Sequence, residues 1–509
     1  MKVNSQRKSG VVLTYAGQAV QLLSGLIYTP IMLRLLGQSE YGLYTLVSSV
    51  VSYLGLLSFG FGSAYMRFYS RFKAQKEETE IARLNGMFMT IFLIIAGICL
   101  ICGGIMVGNI EAIFGSGLTA AEYDKARVLM VLMVFNLAMT FPLSVYDSNV
   151  TAHEQFVFQK VIVLLQNLLN PFICLPLLLL GYGSIAMVSV ATALTIAKTV
   201  ANVLFCNQKL KIHFLFHGFR LRLLKEMWVF TFFIFINNII DQVNWSVDKF
   251  LLGRFAGTIA VAVYGVSAQL NSMYLNFSTA VSNVFVPQVN RIVAESDDNE
   301  ELTDLFIKVG RIQFMILALI ISGFAIFGKA FIYYWAGNGY EDAYKIALFL
   351  MVPVTIPMIQ NLGIEIQRAK NKHQVRSIVY LVMAIVNVCI SIPLIRRFGG
   401  VGAAAGTAFS LLISNVFFMN WFYHRHIGLD MIRFWKSIAQ FAPALIITFG
   451  CGYGIYRIVD LYRPFYLVLF IVIYTMIYGT MMWFLGMNVQ EKQMIREPFQ
   501  KIKNKIHKG

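Results

Sequence analysis

Charge is what this chain of 509 residues has least of. Asp, Glu, Lys and Arg together make up 13% of it, against about 25% in an ordinary soluble domain. So few charges cannot cover a surface in contact with water. Intrinsic disorder is excluded from the other side, because disorder needs low hydrophobicity and 58% of these residues are hydrophobic. Cysteine is also sparse. Cys99, Cys102, Cys174, Cys206, Cys389 and Cys451 lie in or beside apolar runs. The single C-x-x-C, Cys99 to Cys102, has no second pair and no nearby His, so it reads as small hydrophobes rather than a metal or redox centre. No G-x-x-x-x-G-K-[ST] occurs, which removes the usual sequence support for ATP hydrolysis. Long polar stretches are missing too. The longest between apolar runs is 206–226, too short for a soluble catalytic domain, and no catalytic residue, metal site or cofactor is read.

What remains is an all-α polytopic membrane protein. The apolar content suffices for about fourteen transmembrane helices of about 20 residues each. The first is read over 11–34 and the second over 42–65. The seventh and eighth fall at 227–248 and 256–286, the eleventh and twelfth at 377–395 and 401–422, and the last at 464–486. Lys2, Arg7 and Lys8 precede the first run as in a signal peptide. That run is too long for one, however, and no A-x-A site follows, so it reads as a retained helix.

The net charge of +17 has two readings, nucleic acid or membrane orientation. Of the 42 basic residues, 30 fall on the side of the N-terminus, 11 on the other, and Lys198 inside a span. That bias predicts an N-in, C-in topology and explains the charge without nucleic acid. The basic tail can additionally touch anionic membrane lipids.

Weak self-similarity runs through the chain. Residues 33–42 read LRLLGQSEYG and 249–265 read KFLLGRFAGTIAVAVYG; 181–195 and 399–411 are Gly-rich turns entering small-residue helices with Thr192 and Thr407. An offset of six spans predicts two parallel, pseudo-symmetric six-helix lobes. The expected division is 1–205 (N-terminal lobe), 206–226 (basic linker), 227–425 (C-terminal lobe), 426–486 (an extra helix pair) and 487–509 (basic tail). A two-lobed transporter with a central cavity is the expected architecture.

The segments LRLLGQSEYGLY (33–44), FGFGSAYMRF (59–68) and VDKFLLGRF (247–255) with its downstream VYG resemble polysaccharide-type flippases of the multidrug/oligosaccharidyl-lipid/polysaccharide exporter superfamily. The resemblance covers essentially the whole chain. It implies export of an undecaprenyl-type lipid-linked oligosaccharide across the bacterial inner membrane by alternating access, in capsule, lipopolysaccharide O-antigen or exopolysaccharide assembly. Drug-extruding relatives carry an acidic residue in the first helix; residues 11–33 contain none. A cation-coupled small-molecule exporter is the alternative within transport, and a membrane glycosyltransferase or polymerase the alternative outside it. Implied partners are the lipid-linked oligosaccharide, H⁺ or Na⁺ as coupling ion, and polysaccharide assembly proteins.

Moving a sugar chain and a phosphate through hydrocarbon requires a polar path, because burying unpaired hydroxyls or charges costs several kcal/mol each. Asn237, Asp241, Asn244 and Asp248 recur at i, i+4, i+7, i+11 on one face of the seventh span, with Trp245 beside them. Asp241, the deeper acid, serves either a cavity or coupling role or an interhelical bond. Asp248 lies beside Lys249 near the outer end, where a local interfacial role is equally open. Gln269 and Asn276 extend the theme on the eighth span, with interhelical glue as the competing reading. Gln166 and Asn170 precede Pro171 and Pro176 on the fifth, where helix packing is the plainer explanation. Arg67, Arg291 and Lys198 are the candidate phosphate contacts; for the two arginines the competing reading is ordinary positive-inside charge, and for Lys198 it is snorkelling.

Overall fold

The computed structural model describes residues 3–219, 221–494 and 496–497. Among them there are helices and connections but no strands. Without water, each N–H and C=O of a spanning segment must be satisfied inside that segment, and a helix does this. In chain order the α-helices are α1 (Val3–Val51), α2 (Phe61–Ala74), α3 (Glu78–Gly108), α4 (Ile110–Phe114), α5 (Ala120–Ala152), α6 (Phe156–Leu179), α7 (Gly183–Phe205) and α8 (Leu221–Glu295). They continue with α9 (Asn299–Trp335), α10 (Asp342–Ile359), α11 (Leu362–Ala369), α12 (His373–Leu412), α13 (Asn420–Phe422), α14 (Met431–Ala439), α15 (Ala442–Ile458) and α16 (Pro464–Met481).

Eleven helical stretches among the described residues are long and apolar enough to cross a membrane. Three are far longer than one crossing needs: Ala16–Ser58, Ile234–Glu295 and Gln374–Ile427. At 1.5 Å per residue the longest would extend about 90 Å if straight, three times the hydrocarbon core. Each is broken at one glycine instead. Gly37 has φ 75° and ψ 172°, and Gly257 has φ 80° and ψ 179°. This region of backbone space is open only to glycine. The third break is Gly399, at φ 56°. The two matching breaks correct the register of the sequence repeat. Its second Leu-Leu-Gly ends at Gly253, yet Gly253 stays helical, packed on Leu46, and the chain turns four residues later.

The chain forms two compact units, Met1–Gly265 with Val388–Ala403 and Val266–Asn387 with Ala404–Gly509. This differs from the division expected from the repeat, because residues up to 265, including the seventh span, pack within the first unit. Gln242 Nε2 donates to Ser52 Oγ, and Tyr264 Oη donates to Asp248 Oδ2 at 2.7 Å. The linker also belongs there. Its Leu215 N–H donates to the Ala82 carbonyl at 2.9 Å, and Asn85 Nδ2 donates to the His213 carbonyl at 3.0 Å.

In the first unit the connections at one end converge on two acids. Glu122 caps α5 with Thr119 and accepts from Ser39 (2.6 Å) and Thr258 (2.8 Å). Glu40 pairs with Lys125 at 3.1 Å and accepts from the Ser184 N–H at 2.6 Å. These bonds fasten the residues just after Gly37 and Gly257 to the starts of α5 and α7. Gly42 lies so close to the Thr258 carbonyl that a Cβ would come within 1.9 Å of its oxygen.

The second unit has one large apolar core, centred on Phe306, Tyr423 and Phe434. The extra helix pair, α15 and α16, packs on α9 through two smaller clusters. Phe327 meets Tyr474 edge-on at 5.6 Å, and Tyr478 Oη donates to the Met315 carbonyl at 2.6 Å.

Candidate functional site

The polar face expected on the seventh span belongs to the first part of α8, in the first unit. Asp241 and Trp245 are exposed, and Asn237 and Asn244 are half-buried. Between them Gln242 turns inward to Ser52 and also donates to Ser246 Oγ at 2.9 Å. Asp248 is buried, 1% exposed, and accepts from Tyr264. The four residues spaced along one face therefore divide. Asp241 and the two amides stay accessible, while Asp248 fastens the helix to the residues beyond its break.

On α6, in the same unit, Gln166 and Asn170 are half-buried. Asn170 Oδ1 accepts from Cys174 Sγ at 3.1 Å, one turn on and between Pro171 and Pro176. Arg67, on α2, is exposed. Lys198, on α7, is committed to a partner. Its Nζ lies 3.0 Å from Asp147 Oδ2 on α5, and Asn202 Nδ2 donates to the other carboxylate oxygen at 2.8 Å. The ion pair continues a polar seam between α5 and α7, where Asn136 Nδ2 donates to Thr192 Oγ1 at 3.0 Å. Asp147 escaped the sequence reading, although the signal was present: an acid inside the apolar run 127–149.

The remaining candidates belong to the second unit. Gln269 is half-buried, Asn276 exposed and Arg291 exposed. The opposite face of this part of α8 is interhelical glue. Ser278 Oγ donates to the Met358 carbonyl at 2.7 Å, Gln313 Nε2 donates to Ser278 Oγ at 3.0 Å, and Asn361 Nδ2 donates to Ser282 Oγ at 3.0 Å. Asn276 is exposed, and the serines hold neighbouring helices. The first part of α8 thus carries half-buried amides, one exposed carboxylate and an exposed indole within an otherwise apolar stretch. Among the described residues no group of three or more His, Cys, Asp or Glu could hold a metal ion.

Residues 31–345 match a family described as polysaccharide biosynthesis protein. The chain belongs to that family. Membership places it in the polysaccharide branch of the multidrug/oligosaccharidyl-lipid/polysaccharide exporter superfamily, as a multi-pass membrane transporter. The match runs from within α1, shortly before its break at Gly37, into α10, and includes Asp147, Lys198, Asp241 and Gln269. A Shigella flexneri protein named "Putative O-antigen transporter" is 19% identical over 421 residues, covering 80% of this chain and 96% of the relative. Two solved structures share the fold of this polysaccharide biosynthesis protein. The lipid II flippase MurJ in an inward closed conformation aligns with TM-score 0.73 at 14% identity, over 93% of this chain and 97% of its own. An inward-facing multidrug resistance MATE family transporter aligns with TM-score 0.64 at 14% identity, over 82% and 98%.

Proposed function

We propose that this protein is a flippase carrying an undecaprenyl-type lipid-linked oligosaccharide from the cytoplasmic to the outer face of a bacterial inner membrane. Its work belongs to the assembly of a surface polysaccharide such as capsule or O-antigen. The observation that carries the reading is the exposed polar face of α8 in a chain of the polysaccharide biosynthesis family. There Asp241 and Trp245 are exposed, with Asn237 and Asn244 half-buried beside them, inside a helix apolar enough to span a membrane. That the S. flexneri relative is named an O-antigen transporter and MurJ a lipid II flippase supports a lipid-linked glycan as cargo. Each side of the Gly37, Gly257 and Gly399 breaks is taken as a separate crossing, giving fourteen, with both termini cytoplasmic as the charge bias predicts.

In this reading the phosphate meets Arg67 and Arg291 first, since a guanidinium holds phosphate oxygens in pairs. The sugars then pass along the amides and indole of α8 while the prenyl chain stays in lipid, and access alternates between the two faces. No bond is made or broken, so the protein is not an enzyme. Asp241 is the coupling residue for a H⁺ or Na⁺ gradient. Lys198 takes a holding role through Asp147 rather than contacting phosphate. A cation-coupled exporter of small molecules is the second reading, favoured by the MATE likeness and opposed by the absence of any acid over 11–33.

The decisive experiment removes the gene and follows the lipid-linked oligosaccharide with a membrane-impermeant periodate or lectin reagent. The expected result is accumulation on the cytoplasmic face. Unchanged sidedness would overturn the flippase reading.

A further inference from the structure

The second unit carries a concave site that nothing in the transport path uses. It lies where α9 ends, α10 begins and the connection from α15 to α16 passes by. Its cavity has a volume of about 250 Å³, just below the span of about 300–1,000 Å³ seen for drug-sized ligands and on the scale of a single sugar ring. Three tyrosines form much of its wall. Tyr333 and Tyr462 are 44% and 53% exposed, and their rings meet edge-on at 5.5 Å. Tyr344 is half-buried and carries the Lys329 ammonium 5.6 Å from its ring centre.

The site is built rather than incidental. Tyr334 Oη donates to the Tyr462 carbonyl, which pins the connection against the end of α9. Tyr344 Oη donates to the Ala325 carbonyl at 2.6 Å, and Glu341 Oε1 accepts from the Gly339 N–H at 3.0 Å. Aromatic residues at the end of a spanning helix ordinarily mark the membrane interface. Phe465 and Tyr466 on α16 are exposed aromatic residues of that kind. The cavity differs by adding two carboxylates, Glu341 and Asp342, to its aromatic wall.

The charges identify the class of ligand. Lys329 and Lys345 balance Glu341 and Asp342, and Lys345 already pairs with Asp342 at 3.2 Å. A balanced lining gives no advantage to phosphate or an anionic headgroup, which would need surplus cations. It suits a neutral polyol. The C–H face of a pyranose ring packs on the electron-rich face of a tyrosine, while its hydroxyls donate to carboxylates. The geometry points to a saccharide-binding subsite, formed by Tyr333, Tyr462, Tyr344, Glu341 and Asp342, that receives sugar residues of the exported glycan. It rests on the flippase reading, under which this end of the unit faces the outer side.

The test uses the full chain in lipid nanodiscs. The probe is the repeat-unit oligosaccharide released by mild acid from the host's own surface polysaccharide, with no lipid attached. Saturation-transfer NMR should show the sugar ring protons in contact with the wild-type protein. Tyr333→Ala combined with Tyr462→Ala should weaken binding roughly tenfold, a loss of about 1.4 kcal/mol, with the unfolding midpoint little changed because both residues are about half exposed. Tyr333→Phe, which keeps the ring, should bind as wild type. No saturation transfer to the wild-type protein, or equal affinity in wild type and the double alanine variant, would overturn the subsite. Binding is read on purified protein and sidedness on the deletion strain, so failure of one proposal is distinguishable from failure of the other.

Discussion

Arg311 and Glu491 form a buried ion pair, with Nε to Oε1 at 2.6 Å and Nη2 to Oε2 at 2.9 Å. Their side chains are only 2% and 4% exposed. The guanidinium also donates to the Gly486 carbonyl at 2.9 Å and to Gln440 Oε1 at 3.0 Å, and it lies 4.2 Å from the ring centre of Phe441. One residue of α9 thereby holds the end of the last helix and the segment that follows it. In the sequence Arg311 counted only as one more basic residue on the positive side.

Removing one partner of this pair leaves a buried charge uncompensated. Glu491→Ala is expected to lower stability by about 3–5 kcal/mol, read as a drop in the thermal unfolding midpoint in detergent. Arg311→Met combined with Glu491→Leu should recover much of that loss, because burying a pair of charges carries its own desolvation cost. A single variant as stable as wild type would show that the pair holds nothing.

Gly37→Ala and Gly257→Ala should each destabilise the first unit by about 1–3 kcal/mol, since alanine is strained at their positive φ. Expression level and unfolding midpoint check this. A harmless Gly257→Ala would mean that the break tolerates a side chain.

Asp241 and Asp248 should separate by phenotype. Asp241→Asn is expected to cut export at least tenfold, about 1.4 kcal/mol in rate, with little effect on stability because the residue is exposed. Tyr264→Phe, which removes the donor to Asp248, should cost about 1–3 kcal/mol of stability. Export per folded molecule and unfolding midpoints, measured on both variants, decide it; a stable but inactive Tyr264→Phe would reverse the assignment.

The pair formed by Asp147 and Lys198 predicts charge complementarity. Lys198→Met should reduce the amount of folded protein by an effect of about 1–2 kcal/mol, the scale of polar bonds between membrane helices. Exchanging the two residues, Asp147→Lys with Lys198→Asp, should restore part of it. Quantitative immunoblotting of membranes reads both. No recovery in the exchanged variant would argue that Lys198 meets the cargo directly.

His153, in the turn between α5 and α6, predicts a pH response. Burial pushes its pKa below the ordinary 6.5, and the Lys73 charge adds to this against the opposing Asn149 carbonyl. Nδ1 bonds that carbonyl at 2.9 Å and Nε2 lies 3.2 Å from Tyr69 Oη, a pattern the neutral ring satisfies. The folded state therefore binds its proton less readily than the unfolded chain. Above 6.5 the group contributes no pH dependence; as pH falls through 6.5 the unfolded chain is protonated first and stability declines. Midpoints measured from about pH 7.5 to about pH 5.5 should fall more for wild type than for His153→Gln.

Much of the fold was legible because hydrocarbon imposes a simple demand. An apolar run of about 20 residues must be a helix when it lies in a bilayer, and glycine at the break is visible as a letter. The two copies of Leu-Leu-Gly look alike in the sequence, yet the chain turns at Gly37 in the first and at Gly257, four residues beyond Gly253, in the second. Local similarity could not tell the glycine that needs positive φ from the one that needs room for Leu46. The partner of Lys198 was out of reach for a different reason: residues 51 apart in sequence meet only after α5 and α7 pack.

By itself the sequence determined the membrane class, the apolar segments and the charge bias, since these depend on composition and order alone. Helical periodicity also put Asp241 and Asp248, seven residues apart, on one face. Only the tertiary structure decided that Asp241 is exposed while Asp248 is buried against Tyr264. A period specifies which residues share a face; what covers each part of that face depends on the chain returning after its glycine break.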